Sequence, residues 1–135
     1  MEILSRRDHS EAELAQKMRS KSFTPSQIEL TIAQLKQSNL LNDTTFANRY
    51  AQQILRSKAV GPRYVADKLR QKRIDNTIIE QVISDTYQEG EEGLAKKAAD
   101  KWKKLHPKKA GDKQRLQKFL ASRGFTQSGI MGVLE

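Results

Sequence analysis

The sequence predicts an all-α fold of tandem three-helix repeats, elongated and curved, with a period of 51 residues and a truncated last unit. Apolar residues keep helical spacing in three segments that superimpose when the sequence is shifted by 51 residues. The same shift aligns residues that are typical of helix N-caps. No stretch alternates between apolar and polar residues for long enough to suggest a β-strand. Hydrophobic residues are 36% of the 135, which favours a small core in each repeat.

Five apolar columns recur in all three repeats without a gap. Their members, in the order of the repeats, are Leu14, Val65 and Leu116; Met18, Leu69 and Leu120; Phe23, Ile74 and Phe125; Ile28, Ile79 and Ile130; and Ile32, Ile83 and Leu134. Stacked repeats bury such columns against their neighbours, so we expect these side chains to form the core.

Two cap columns mark where the first two helices of each repeat begin. They consist of residues whose side chain or backbone suits an N-cap: Ser10, Gly61 and Asp112, then Thr24, Asp75 and Thr126. Glu13 and Gln27 follow two of these caps at capping-box spacing, and Pro25 and Pro62 stand at first helical positions. We therefore predict first helices at 10–21, 62–72 and 113–123, and second helices at 25–37, 76–88 and 127–134.

A third helix is predicted in the first two repeats. Asn42 and Asp43 cap the first of these helices, whose apolar residues are Phe46, Ala47, Tyr50, Ala51 and Ile54. Its counterpart in the second repeat places Ala98, Trp102 and Leu105 on the buried side. The predicted units are residues 1–58, 59–109 and the truncated 110–135, which together form one continuous array.

The sequence lacks the residues that most catalytic and metal sites need. It has no cysteine, which excludes disulfides, thiolate zinc sites and a cysteine nucleophile. Its only histidines, His9 and His106, lie far apart, and no nucleotide-binding or hydrolase motif occurs. We therefore expect no catalytic residue, metal or cofactor. Because the apolar runs are too short for a membrane span or a signal peptide, we expect a cytoplasmic protein that does not bind membranes.

The positive charge is concentrated in one segment. The chain carries a net charge of +9 with histidine neutral, and residues 94–123 hold eleven Lys or Arg against two Asp, which accounts for all of it. Within this segment Lys97, Lys101, Lys104 and Lys108 have the spacing of one helical stripe, although Pro107 disfavours a helical Lys108. A second basic group decorates the first helix and turn of the second repeat: Arg63, Lys68, Arg70, Lys72 and Arg73.

Three interpretations of these basic groups stay open from the residues alone. The groups bind a nucleic-acid backbone without sequence preference, bind an acidic protein surface, or form a solvated face. Trp102 is predicted to be a core residue and not a platform for base stacking. A membrane-surface helix is disfavoured because the apolar side around Trp102 is mainly alanine. A helix-turn-helix repressor is disfavoured because second helices such as 75–88 are acidic.

A set of short motifs resembles the RecX family, regulators of the RecA recombinase. The motifs are Arg7-Asp8-His9-Ser10 with Glu13-Leu14, Asn39-Leu40-Leu41-Asn42-Asp43 with Phe46-Ala47, Gly61-Pro62-Arg63 with Lys68-Leu69, Lys72-Arg73-Ile74, and Phe119-Leu120-Ala121-Ser122-Arg123-Gly124-Phe125. They span nearly the whole chain in the family's order. The chain departs from the family at Ser22 and Arg73, where the family usually has glycine, so we expect these two helix stops to be tighter or shifted.

The resemblance implies a protein that binds the RecA filament on single-stranded DNA. Such a protein inhibits the filament's ATPase, strand exchange and the co-protease activity that triggers the SOS response, and so regulates recombination and DNA repair. It is expected to be a non-enzymatic monomer with the RecA filament as its partner and weak, non-specific affinity for single-stranded DNA. The alternative is a basic protein that coats nucleic acid. The residues expected to contact filament or DNA are Arg63, Lys68, Arg70, Lys72, Arg73, Lys97, Lys101, Lys104, Lys108 and Arg123.

Overall fold

Helices account for all of the regular secondary structure in residues 9–135, the part of the chain that the computed structural model describes. The eight α-helices of this part of the chain are α1 (Glu11–Ser20), α2 (Pro25–Gln37), α3 (Asp43–Ser57), α4 (Pro62–Gln71), α5 (Asn76–Thr86), α6 (Glu92–Leu105), α7 (Lys113–Ser122) and α8 (Gln127–Leu134). A short 3-10 helix, Pro107–Lys109, connects α6 to α7. The all-α prediction is confirmed. Arg7 and Asp8 of the first motif lie outside the described residues.

Most helices begin at the caps that the sequence predicts. Ser10 and Thr24 each form a full capping box, with Glu13 and Gln27 as their respective partners. Three further caps accept a hydrogen bond from the backbone N–H three residues on: Asn42, Asp112 and Thr126. Asp75 stands at its predicted place before α5, but its side chain makes no capping hydrogen bond. The local sequence therefore determines where nearly every helix starts.

Three hydrophobic clusters take the place of one large core. Residues of α1 and α2 form the first with Leu41, residues of α3 to α5 form the second, and residues of α6 to α8 form the third. The chain exposes 9265 Å², against about 7200 Å² for a compact protein of this mass. This large surface agrees with the predicted elongated array, whose curvature stays a prediction.

The predicted apolar columns are largely buried. Three columns are buried at every position, namely those that begin at Leu14, Met18 and Ile28, and the Ile32 column is half-buried throughout. The prediction is wrong at Phe23, which is 42% exposed. Its counterparts Ile74 and Phe125 are buried in clusters with residues of α3 and α6, whereas Phe23 belongs to none of the three clusters of the described residues. It is also wrong at Leu105, which is 67% exposed because it is the last residue of α6.

Each of the two long helices, α3 and α6, packs in a group with the two helices that follow it. The clusters join α3 to α4 and α5, and join α6 to α7 and α8, so the last three helices form a full three-helix unit when counted in this way. The predicted boundaries after residues 58 and 109 stay a prediction, because a period of 51 residues is the same whichever helix is counted first.

Each first helix stops at a residue with left-handed backbone geometry. The φ angles are 68° at Ser22, 58° at Arg73 and 85° at Gly124. Since α1, α4 and α7 also end 51 residues apart, the three stops are equivalent, and the tighter or shifted stops expected at Ser22 and Arg73 do not occur. A left-handed residue with a side chain costs about 1–2 kcal/mol that glycine avoids.

We expect Ser22→Gly to stabilise the protein by about 1 kcal/mol, because glycine removes the steric cost of the left-handed conformation at an exposed position. This gain corresponds to a rise in Tm of about 3 °C, which a thermal melt followed by circular dichroism measures. The control is Ala33→Gly on the exposed side of α2, where glycine should cost about 1 kcal/mol. A lower Tm for Ser22→Gly would contradict the left-handed backbone conformation at Ser22.

Candidate interaction surface

The ten predicted contact residues lie on α4, on α6 and in the turns that follow α4, α6 and α7. Arg63, Lys68 and Arg70 are on α4, Lys72 and Arg73 follow it, Lys97, Lys101 and Lys104 are on α6, Lys108 is in the 3-10 helix, and Arg123 follows α7. Eight of the ten are exposed, and Lys68 and Lys72 are half-buried. That these side chains contact a partner stays a prediction.

The lysine stripe occupies the solvent side of α6. Lys97, Lys101 and Lys104 are exposed, whereas Ala98 and Trp102 on the opposite side are buried in the third cluster. The helix ends at Leu105. Lys108 therefore lies outside the helix, in the 3-10 segment that begins at Pro107, and does not extend the stripe.

Trp102 is a core residue, as predicted. Its side chain is 8% exposed, and its ring centroid lies 6.0 Å from the Phe119 ring of α7 in a stacked arrangement. The ring centroid of His106, the residue after α6, lies 5.4 Å from that of Trp102 in a tilted arrangement. The stacking on Phe119 thus joins α6 to α7.

Two of the ten cations are paired within the chain. The Arg70 guanidinium lies 2.8 Å from the Asp67 carboxylate on the exposed side of α4. The Lys72 ammonium lies 2.8 Å from the Glu13 carboxylate of α1, which is 19% exposed. Within residues 9–135 the other eight form no ion pair with a carboxylate, so their charge is available to a partner.

A close contact between two glycines joins the start of α4 to the turn after α7. The Gly61 N–H donates to the Arg123 carbonyl oxygen at 2.9 Å, and the Arg63 N–H donates to the Gly124 carbonyl oxygen at 2.9 Å. A Cβ atom at Gly61 would overlap the Gly124 backbone, and a Cβ at Gly124 would overlap Tyr64. These two chain segments therefore approach so closely that only glycine fits at both positions. The contact brings Arg123 beside α4.

Tyr64 lies at this contact among cations from both segments. The Lys58 ammonium donates to the Tyr64 hydroxyl oxygen at 3.0 Å and lies 5.4 Å from the ring centroid, while the Lys68 ammonium lies 5.5 Å from the same centroid. The hydrogen bond from Lys58 lowers the pKa of the Tyr64 hydroxyl, and the charges of Lys68 and Arg123 act in the same direction. Arg123 in turn covers the Phe119 ring at 5.2 Å.

Sequence reasoning missed part of this group, which we call the Tyr64 cluster: Lys58, Tyr64, Lys68 and Arg123. It selected neither Lys58 nor Tyr64, whose side chain also packs against the second cluster. No periodic signal marks Lys58, because it lies in the connection between α3 and α4. The structure thus brings Lys68, of the second basic group, together with Arg123, the last cation of the basic segment.

A salt bridge occupies the equivalent position one repeat earlier, between α1 and the turn after α4. Shifted by 51 residues, the Tyr64 and Arg123 positions become Glu13 and Lys72, the partners of the half-buried ion pair. The Lys72 ammonium also lies 5.6 Å from the Tyr50 ring centroid. The first two helix groups are therefore joined through side chains, whereas the second and third are joined through backbone.

We expect Lys72→Met to destabilise the protein by about 1 kcal/mol, because it keeps the aliphatic stem but removes the cation from the half-buried Glu13 carboxylate. Urea unfolding of Lys72→Met, Glu13→Gln and the double variant measures the coupling between the two residues. Arg70→Met is the matched control, and we expect it to cost less than about 0.5 kcal/mol because the Arg70–Asp67 pair is exposed. A coupling energy near zero would contradict the role of this salt bridge in joining the first two helix groups.

No other kind of site emerges in the described part of the chain. Residues 9–135 contain no group of three or more histidines and carboxylates placed to hold a metal ion. Within the same range, no helix is long and apolar enough to cross a membrane.

Comparisons with known proteins agree with this architecture. Two family profiles match: "RecX, first three-helix domain" over residues 1–35 and "RecX, second three-helix domain" over residues 42–83. The second match begins just before α3 and ends within α5, which are the helices that share the second cluster.

Curated relatives and solved structures carry the same family name. Regulatory protein RecX of Syntrophotalea carbinolica is 40% identical over 66% of this chain and 58% of its own length, so the match spans little more than half of that relative. Regulatory protein RecX of Cronobacter sakazakii is 30% identical over 98% of this chain and 86% of its own. The crystal structure of RecX from Lactobacillus salivarius superimposes with a TM-score of 0.89 at 21% identity, over 98% of this chain and 88% of that one, and so shows the fold. Together with the profiles, these matches show that the chain belongs to the RecX family of regulatory proteins.

Proposed function

We propose that this protein binds the RecA filament on single-stranded DNA and inhibits the filament's ATPase, strand exchange and co-protease activities. Its relatives are named regulatory proteins, which supports a role in control and not in bond chemistry. In this proposal the protein acts in the cytoplasm as a monomer, through binding alone and without cofactor or metal.

The distribution of unpaired cations carries the proposal. Eight of the predicted contact cations, which form no ion pair within residues 9–135, are spread over α4, α6 and the turns after α4, α6 and α7, and thus over two successive helix groups. A filament presents the same surface at each subunit, so an array with cations on successive units can contact several subunits at once. Contacts that are individually weak then reinforce one another through effective concentration.

A second candidate is a basic protein that coats nucleic acid and inhibits only by masking it. The observation that favours it is the concentration of eleven Lys or Arg against two Asp in residues 94–123. Binding of this kind is dominated by phosphate contacts and weakens steeply as salt is added.

Co-sedimentation distinguishes the two candidates. RecA filaments are assembled on single-stranded DNA with a non-hydrolysable nucleotide and pelleted with this protein at about 50 and 200 mM salt. Our proposal predicts that the protein pellets with the filament at the higher salt, at which it no longer binds naked DNA. Equal retention on filament and on naked DNA at both salt concentrations would support the coating protein instead.

A further inference from the structure

We propose that the Tyr64 cluster is a subsite for one nucleotide of single-stranded nucleic acid, in which the ring of Tyr64 stacks on the base and Lys58, Lys68 and Arg123 hold the adjoining phosphate. The inference deepens the proposed function and rests on it for the presence of single-stranded DNA at this surface.

The backbone contact described above fixes the geometry of the cluster. Arg63, which precedes Tyr64, donates its N–H to Gly124, and Gly61 donates to Arg123. Tyr64 on α4 and Arg123 after α7 are therefore held together by backbone hydrogen bonds and not by flexible side chains. A site that is organised before its ligand arrives loses less conformational freedom on binding.

The charge of the cluster is uncompensated. Lys58, Lys68 and Arg123 make no ion pair with any carboxylate in the described part of the chain. The hydrogen bond from Lys58, together with the charges of Lys68 and Arg123, lowers the pKa of the Tyr64 hydroxyl, which agrees with a site that favours negative charge. An anion at this position would therefore meet three cations at one place.

The aromatic ring points to a single-stranded ligand. Tyr64 is half-exposed: its side chain packs in part against the second cluster, and the ends of two flexible lysine side chains that lie over the ring can turn toward a phosphate. An aromatic ring in a basic groove is the arrangement by which proteins bind single strands without sequence preference. In a duplex the faces of the bases are closed by stacking, and an acidic protein surface would use the cations but has no base for the ring.

Affinity for labelled oligonucleotides, with RecA absent, tests the subsite. The Tyr64→Ala variant should bind a short oligothymidylate about tenfold more weakly than the parent, because a stacked base is lost. Its affinity for a duplex of the same length and its salt slope on the single strand should stay unchanged. Lys68→Ala should instead reduce the salt slope on the single strand by about 0.7, the value for one phosphate contact.

Two controls make the result specific. Tyr50→Phe changes the other tyrosine that lies near a lysine, outside the proposed subsite, and should leave oligothymidylate affinity unchanged. Tyr64→Phe keeps the ring and should bind within about twofold of the parent. This variant still tests the subsite if Tyr64→Ala perturbs folding. Circular dichroism melts of each variant report the fold.

The assignment is overturned if folded Tyr64→Ala binds oligothymidylate as well as the parent does. It is also overturned if Tyr64→Ala weakens binding of polyglutamate as much as binding of oligothymidylate, which would make the cluster a docking surface for acidic protein. Because no RecA is present in this assay, either result leaves the sedimentation test of the proposed function standing. Conversely, a protein that fails to bind filaments can still show the stacking loss.

Discussion

The Gly124→Ala variant should lose more than about 3 kcal/mol of stability, which is a large effect for one methyl group. Two costs add at this position. The backbone has φ 85°, where a side chain is strained by about 1–2 kcal/mol. The new Cβ would also overlap the Tyr64 backbone, so the turn after α7 must move away from α4 and break the two hydrogen bonds that join them. Urea unfolding followed by circular dichroism measures the loss.

Two other glycines separate these costs. Gly90 has nearly the same geometry, φ 88°, but nothing lies within 4 Å of a Cβ built there, so Gly90→Ala should show only the strain. Gly93 lies in α6 with equally open surroundings, and Gly93→Ala should stabilise by about 1 kcal/mol through helix propensity. If Gly124→Ala costs no more than Gly90→Ala, the close contact between the turn and α4 does not hold the two helix groups together.

Reversing the three lysines of the α6 stripe should weaken filament binding on the order of a hundredfold, since each reversed charge near a phosphate costs about 1 kcal/mol. The variant carries Lys97→Glu, Lys101→Glu and Lys104→Glu. All three side chains are exposed and outside the ion pairs of residues 9–135, so the fold should be unaffected. Co-sedimentation with RecA filaments at fixed salt measures the change.

The matched control reverses three exposed cations outside the α6 stripe, Arg19, Lys21 and Arg56. It makes the same change in net charge, so it should weaken binding far less if a local surface is responsible. Similar losses in the two triple variants would mean that net charge governs binding. Unchanged filament binding by the α6 variant would remove the stripe from the contact surface.

The features that the sequence predicted well are those set by short-range interactions. The predicted bounds of α2 and α8 match the structure, because Thr24 and Thr126 cap helices whose starts depend on hydrogen bonds three residues away. The core positions followed for the same reason, since helical periodicity determines which side of each helix is apolar. The prediction failed at Leu105 because it applied the helical spacing of buried residues as far as the last residue of α6, where the side chain is exposed.

The candidate surface depends on contacts between distant residues, which no local pattern encodes. Gly61 and Gly124 lie far apart in the chain, and their contact exists only because the turn after α7 packs on the start of α4. Nothing in the spacing of Lys58 or Tyr64 indicates that Arg123 will lie beside them. The repeat identifies the equivalent positions in the first copy, but their side chains differ. There Glu13 and Lys72 form a salt bridge.

The most direct test of the central claim is the DNA-dependent ATPase activity of RecA, titrated with this protein at two levels of excess single-stranded DNA. A protein that acts on the filament should inhibit at concentrations well below that of RecA, and the inhibition should be the same at both DNA levels. Inhibition that the added DNA relieves, or that requires enough protein to cover the DNA, would contradict the claim and identify a basic DNA-coating protein.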